Sequence, residues 1–158
     1  MNKLLPFLLG VTLLFSATAC TTAKTSGEAP NSTNDNTTTT DNNNEELNAE
    51  DAQENQEDAT SQVRQDQIAS DTRARQQRND AAGNPEEIAD SDVESLVRNQ
   101  LETKLPKSEL AVDSEEGVVT ISGTVASQEE LDQIESLAKE VKGVKSVNVK
   151  ATVATPKP

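Results

Sequence analysis

Histidine and aromatic side chains are almost absent from this sequence. The chain of 158 residues has no His, Trp or Tyr, and its two phenylalanines, Phe7 and Phe15, both lie in the first 20 residues. The rest of the chain therefore lacks a histidine general base, a histidine metal ligand and an aromatic platform for stacking bases. We expect a protein that is not an enzyme and that holds no metal and no cofactor.

Positive charge is also scarce. The chain has 14 Lys+Arg against 28 Asp+Glu, which gives a formal net charge of −14. Because binding to a phosphate backbone relies on basic side chains, we expect no nucleic-acid partner. An enzyme that uses two carboxylates, for example among Asp113, Glu115 and Glu116, is disfavoured because these residues fall in an exposed turn, where raised pKa values are not expected. The length allows one ordinary domain with appendages.

The one long apolar run opens the chain. Lys3 precedes a stretch from Leu4 to Phe15 that ends in small residues before Cys20. A spanning helix needs roughly 20 apolar residues, so this shorter run predicts a secretory signal peptide, at residues 1–19.

The only cysteine follows at once. The string Ala17-Thr18-Ala19-Cys20 resembles the lipobox of bacterial lipoproteins, although that family usually has Leu where this chain has Ala17. The resemblance implies that Cys20 is acylated and anchors the mature chain in a membrane, and Thr21 resembles an outer-membrane sorting signal. We expect an anchor on the periplasmic side of the cell envelope, with the outer membrane favoured over the inner. The alternative is a plain secretory signal that leaves a free Cys20.

A polar, acidic stretch separates Cys20 from the rest of the chain. Residues 20–62 are rich in Thr, Asn and acidic side chains, with Leu47 as their only large aliphatic residue. Such a composition buries too little apolar surface to offset the entropy of ordering, so it predicts a disordered spacer, with a cation-binding tail as the alternative. With the residues that follow, a flexible tether of this length would span roughly 45 Å and hold a domain well away from its anchor.

Residues 63–80 change in character. They are rich in helix formers and carry Arg64, Arg73, Arg75 and Arg78, but their few apolar residues form no continuous stripe. We predict a frayed helix that does not pack firmly, and the alternative is an arginine cluster that touches an anionic surface. Residues 81–86 read as a linker that ends the helix.

The remaining residues alternate between helical and strand patterns. Two capping-box signatures, Ser91 with Glu94 and Ser127 with Glu130, each precede apolar residues at helical spacing. Two alternating segments around Leu110–Val112 and Val118–Val125 predict a hairpin, and Val144–Val153 predicts a last strand. The fold class is therefore α+β, as one small α-β-β-α-β domain over residues 87–154. We expect a three-stranded sheet with two helices on one face, followed by a tail at residues 155–158.

The strings Gly117–Val125 and Val141–Val149 resemble the BON domain of bacterial envelope proteins. The resemblance covers about residues 87–153, and a single copy is present. It implies a non-catalytic domain that attaches to phospholipid or supports envelope integrity. The alternative is a protein-interaction or structural module, in which the open sheet face or a strand edge binds a protein or cell-wall partner without lipid affinity. We expect a monomer.

Two sets of residues are singled out within this segment. We predict structural roles for three glycines, with Gly143 ending the second helix in a left-handed cap and Gly123 allowing a helix and a strand to approach; the set is Gly117, Gly123 and Gly143. Candidate contacts to phospholipid head groups or to an envelope protein are the lysines at the end of that helix and along the last strand, namely Lys139, Lys142, Lys145 and Lys150.

Overall fold

The computed structural model describes residues 22–33, 49–82 and 88–154. The elements in chain order are β1 (Ala23–Lys24), α1 (Ala49–Thr60), α2 (Gln62–Ala82), α3 (Asp90–Lys104), β2 (Glu109–Glu115), β3 (Val118–Val125), α4 (Gln128–Lys139), β4 (Ser146–Val149) and β5 (Thr152–Val153). The predicted α+β class is confirmed. The predicted signal peptide, Cys20 and the tail at residues 155–158 lie outside the described residues.

The sheet is mixed, in the order β1-β2-β3-β4. β2 and β3 form the predicted antiparallel hairpin, while β4 and β5 both run parallel to β3. The predicted last strand is thus split in two, although both parts keep one register, with Val118 opposite Ser146 and Thr124 opposite Thr152. The interruption faces Gly123, whose φ of 123° departs from strand geometry. β1 adds a strand that the sequence patterns do not predict.

The core lies between one face of the sheet and the two helices α3 and α4, as predicted. Alternation along the strands turns every second side chain toward the helices, and the helices supply apolar residues three and four positions apart. The buried side chains that form this core include Val93, Val97, Leu101, Leu110, Val112, Val119, Ile121, Val125, Ile134 and Ala138.

The two capping boxes have different outcomes. Ser127 caps α4 as predicted, because its side chain accepts a hydrogen bond from the backbone N–H of Glu130. The prediction for Ser91 is wrong, since α3 begins at Asp90, two residues earlier than predicted, and its N-cap, Ala89, offers no side-chain acceptor. The carboxylate of Glu94 instead accepts the backbone N–H of Ser114 in β2, at 3.2 Å.

The prediction of disorder over residues 20–62 is wrong for the residues that the structure describes there. β1 pairs with β2, and α1 brings Ala59 to 6% exposure. A helix is present at residues 63–80, within α2, but it packs on α3 instead of fraying, and Ile68 becomes buried. Composition misses these contacts because the folded domain supplies polar partners that the isolated segments lack.

Candidate functional site

The turn between β2 and β3 is fixed by an acidic residue that the sequence patterns do not single out. One carboxylate oxygen of Asp90 accepts the backbone N–H of Gly117 at 3.0 Å, and the other accepts that of Glu116 at 3.0 Å. Ser114 donates its hydroxyl to the same carboxylate. Burial raises the pKa of Asp90, but these hydrogen bonds, with the charge of Lys145, outweigh burial and hold that pKa below its ordinary value. Asp90 therefore locks this turn to the start of α3.

Backbones approach closely at two of the three glycines. A Cβ on Gly117 would lie 2.8 Å from the carbonyl oxygen of Gly143, and one on Gly123 would lie 2.0 Å from that of Glu109. Gly123 thus allows two strands, and not a helix and a strand, to approach. The expected cap role of Gly143 is also wrong, because α4 ends at Lys139 and its C-cap is Glu140. Gly143 belongs to the loop after the cap, which lies against the β2–β3 turn.

The four candidate lysines are exposed, but they reach toward different parts of the molecule. Lys139 pairs with Glu135 one turn earlier on α4. The Nζ atom of Lys142 lies 3.8 Å from Oδ1 of Asp80 in α2. The side chains of these two lysines are more than half exposed, so the pairs contribute little to stability.

The other two candidate lysines bond to backbone carbonyl groups. Lys145 donates to the carbonyl oxygen of Glu116 at 3.0 Å, in the β2–β3 turn. Lys150 donates to that of Thr33 at 3.1 Å, on the outer face of the sheet. The structure therefore gives each of the four lysines an internal acceptor and does not bring their ammonium groups into one cluster.

The outer face of the sheet is not fully open. Residues 22–33 run along it, where Ser122 donates its hydroxyl to the carbonyl oxygen of Ser32 at 3.4 Å. Thr25 is 7% exposed and Ala29 is 2% exposed. The expectation of a free polar face is wrong here because the chain's own N-terminal residues supply its hydrogen-bond partners.

The outer side of α3 carries a network of charges. Glu102 is 2% exposed and pairs with Arg64 of α2 and with Arg98 on its own helix. Near the start of α3, Arg75 and Arg78 of α2 both bond to the carboxylate of Asp92. Burial lowers the pKa of Arg98, and the carboxylates of Glu102 and Asp71 only partly oppose this effect. These side chains dock α2 through ion pairs and hydrogen bonds, with few apolar contacts.

Asn99 lies in the middle of this contact. It is 3% exposed, and its side-chain amide donates to Asp71 and Thr72 of α2, both at 3.0 Å. Burial raises the pKa of Asp71, but the hydrogen bonds from Arg75 and Asn99 outweigh it and leave that pKa below its ordinary value. Three of the four arginines noted in the sequence, Arg64, Arg75 and Arg78, thus contact α3, whereas Arg73 is exposed.

A groove of about 580 Å³ lies between α2, α3 and the end of α4. Its apolar lining is Ile68, Ile88, Leu96 and Val141, and its rim is polar. Burial prevails at Glu94 and Glu109 and holds the pKa of each above its ordinary value, but neither carboxyl group lines the groove. Glu94 bonds to the backbone of Ser114, and Glu109 accepts from Asn55 and Thr124.

Within residues 22–33, 49–82 and 88–154, no helix is both long and apolar enough to cross a bilayer. The same residues contain no group of three acidic, Cys or His side chains placed to hold a metal ion.

Comparison with known proteins places the folded unit in a family. A stretch of 43 residues is 51% identical to Osmotically-inducible protein Y of Escherichia coli (strain K12). This stretch is 27% of the chain and 21% of that relative, so the chain matches only about a fifth of the relative's length. No solved structure matches the chain. The model of the BON domain family matches residues 89–155. The part of the chain that folds as α3 to β5 is therefore a BON domain.

Proposed function

We propose that this protein is a non-enzymatic cell-envelope protein, anchored through acylated Cys20, whose BON domain binds a phospholipid surface or an envelope partner and supports envelope integrity. The observation that carries the proposal is the match of residues 89–155 to the BON domain. The shared stretch with an osmotically inducible protein supports a role when the envelope is under osmotic stress. The lipobox-like string before Cys20 supports the periplasmic side of a membrane, with the outer membrane favoured.

The carboxyl groups with shifted pKa values support binding over catalysis. Enzymes place groups with shifted pKa values in a cleft, where they can reach a substrate. Here Glu94 and Glu109, whose pKa values burial raises, are engaged with the protein's own backbone and side chains. Asp90, whose pKa is lowered, holds a turn.

The anchor is tested by the intact mass of the mature protein purified from membranes, beside the variant Cys20→Ala. We expect a mass that begins at Cys20 and includes acyl chains, and we expect the variant to move to the soluble fraction. Two or more acyl chains hold a protein stably, whereas one chain binds only marginally. An unmodified mass that begins at Cys20 would refute the anchor and leave a free periplasmic or secreted BON protein.

A second function, binding of a protein or cell-wall partner without lipid affinity, is favoured by the lysine geometry. All four candidate lysines already contact acceptors within the chain. In addition, within the described part of the chain, β4 pairs with β3 alone, which leaves its outer edge able to accept a strand.

Flotation of the lipid-free Cys20→Ala protein with phosphatidylglycerol vesicles separates the two functions. If the domain binds head groups, the protein should float, and changing the four lysines to Gln should reduce binding, since each basic residue near an anionic surface is worth about 1 kcal/mol. The matched control changes Lys104 and Lys107, two lysines outside the proposed contact set, to Gln. If the lipid-free protein does not float with these vesicles, lipid binding by the domain is refuted and the partner-binding function remains.

A further inference from the structure

The first described residues of the chain are firmly attached to the sheet. Ala23 lies opposite Val112 and Lys24 opposite Ala111 in antiparallel pairing. The backbone N–H of Thr25 donates to the carbonyl oxygen of Leu110 at 2.8 Å, and the Thr25 hydroxyl accepts the backbone N–H of Leu110 at 2.8 Å. With Thr25 buried, these contacts hold the segment on the β2 edge.

The pairing also fixes the end of the sheet from which the chain arrives. Because β1 is antiparallel to β2 and Ala23 lies opposite Val112, β1 begins on the side toward the end of β2. That end carries the β2–β3 turn, which we call the turn end and define by Glu115, Glu116 and Gly117. Lys145 joins it through its bond to Glu116.

Cys20 is only three residues before Ala23. Three residues span at most about 10 Å even when fully extended. We infer that the turn end of the BON domain faces the lipid surface that holds the acyl chains of Cys20, so that the domain sits directly on the membrane. This inference rests on the proposed acylation of Cys20. It replaces the expectation of a tether of roughly 45 Å, because β1 joins the sheet only three residues after Cys20.

Charge at the turn end is mixed. Lys145 bonds to it, but Glu115 and Glu116 belong to the turn itself. Attraction to anionic head groups therefore does not determine the orientation. The short connection and the pairing of β1 with β2 determine it.

The test uses the full-length acylated protein in vesicles of phosphatidylethanolamine and phosphatidylglycerol that contain a lipid with a quencher on its head group. One variant, Glu115→Cys, carries a fluorophore at the turn end, and a second, Glu129→Cys, carries it at the start of α4; both positions are exposed. β3 separates these sites by roughly 25 Å along the strand direction. We expect several-fold more quenching at position 115 than at position 129.

Two further variants test the cause of this difference. Thr25→Pro removes the N–H that donates to Leu110. A flexible Gly/Ser insertion after Thr21 lengthens the connection and leaves β1 intact, so it remains informative if the proline variant does not fold. Either change should make the quenching at the two positions equal.

The outcomes separate the orientation from the anchor. Acylated protein that sediments with the vesicles but shows equal quenching at positions 115 and 129 overturns the orientation alone. Protein that carries no acyl chain and does not sediment overturns the proposed anchor, and the orientation with it. A difference between the two positions that survives the insertion would show that something other than the short connection orients the domain, which also contradicts the inference.

Discussion

The two sides of helix α3 are buried in different ways. Its inner side packs Val93, Val97 and Leu101 against the sheet, and these residues are at most 1% exposed. Its outer side is covered by α2, but the groups buried there are Asp92, Asn99 and Glu102. The inner contact depends on removing apolar surface from water, and the outer contact depends on ion pairs and hydrogen bonds that must be complete to be favourable. Both sides of this helix are thus buried, but its sequence predicts burial of the apolar side only.

The largest effect should come from the inner side. Leu101→Ala removes a fully buried side chain from the core, and such a truncation costs about 2–5 kcal/mol. We expect the urea midpoint of the whole domain to fall, because β2, β3 and α4 share this core. Val63→Ala is the matched control, since Val63 is 69% exposed and should have almost no effect. A midpoint that Leu101→Ala does not change would contradict the assigned core.

A change on the outer side should release α2 more than it destabilises the domain. Glu102→Gln removes the charge that faces Arg64 and Arg98, and the loss of such a pair costs about 1–3 kcal/mol. In hydrogen–deuterium exchange we expect the amides of α2 to exchange faster while the amides of β2 and β3 stay protected. Lys104→Gln, at an exposed position on the same helix, is the control. Equal loss of protection in α2 and in the sheet would show that α2 does not open independently of the core.

The inner side of α3 could be predicted from the sequence, and the outer side could not. Leucine and valine at helical spacing have one favourable environment, so Val97 and Leu101 indicate the core directly. Arg64 and Glu102 are equally compatible with water and with each other, and they lie 38 positions apart, so neither periodicity nor composition reveals their pairing. The same limit explains the capping boxes. Ser127 and Glu130 are satisfied locally, whereas Glu94 has a partner in β2 that only the folded chain brings near.

The same difference between local sequence signals and long-range contacts applies to the candidate site. The lipobox-like string and the lysines are local features and could be singled out, but the acceptors of Lys142, Lys145 and Lys150 come from α2, the β2–β3 turn and residues 22–33. The pairing of β1 with β2 joins residues almost 90 positions apart through a strand of only two residues, Ala23 and Lys24, for which the sequence has no signal. Asp90 was missed for a related reason, since its three hydrogen-bond donors all lie in or beside a distant turn.

Asp90 connects the start of α3 to the β2–β3 turn, and the stability that this connection contributes depends on pH. Its pKa in the folded protein is held below the ordinary value of about 3.9, so the unfolded chain binds more protons around that pH. The stabilisation by Asp90 is therefore present above the unfolded pKa and is lost as the pH falls through the folded pKa. We expect Asp90→Asn to cost about 1 kcal/mol in urea unfolding at pH 7, with the difference from the parent protein shrinking on acidification below about pH 4.

The exposed Asp66→Asn is the control for Asp90→Asn. A cost of Asp90→Asn that stays constant down to low pH would mean that the charge of Asp90 does not stabilise the turn. Glu94 and Glu109 work in the opposite direction, since burial raises their pKa values. Their contribution becomes more favourable as the pH falls from neutral through their raised pKa values. Glu94 and Glu109 therefore oppose the acid destabilisation that Asp90 and Asp71, whose pKa values are lowered, both produce.

The smallest effect should come from the exposed edge of the contact between α2 and α3. There, two arginines that differ in exposure pair with the same carboxylate. Asp92 bonds to both Arg75 and Arg78, but the side chain of Arg78 is 58% exposed and that of Arg75 is 21% exposed. An exposed pair is worth at most about 1 kcal/mol and is screened by salt, so Arg78→Gln should change stability by only a few tenths of that value. Arg75→Gln should cost more, because it also leaves Asp71 without its hydrogen bonds from Arg75. Urea unfolding of both variants at low and high salt measures the difference. Equal costs for the two arginines would mean that burial on the outer side of α3 does not strengthen its ion pairs.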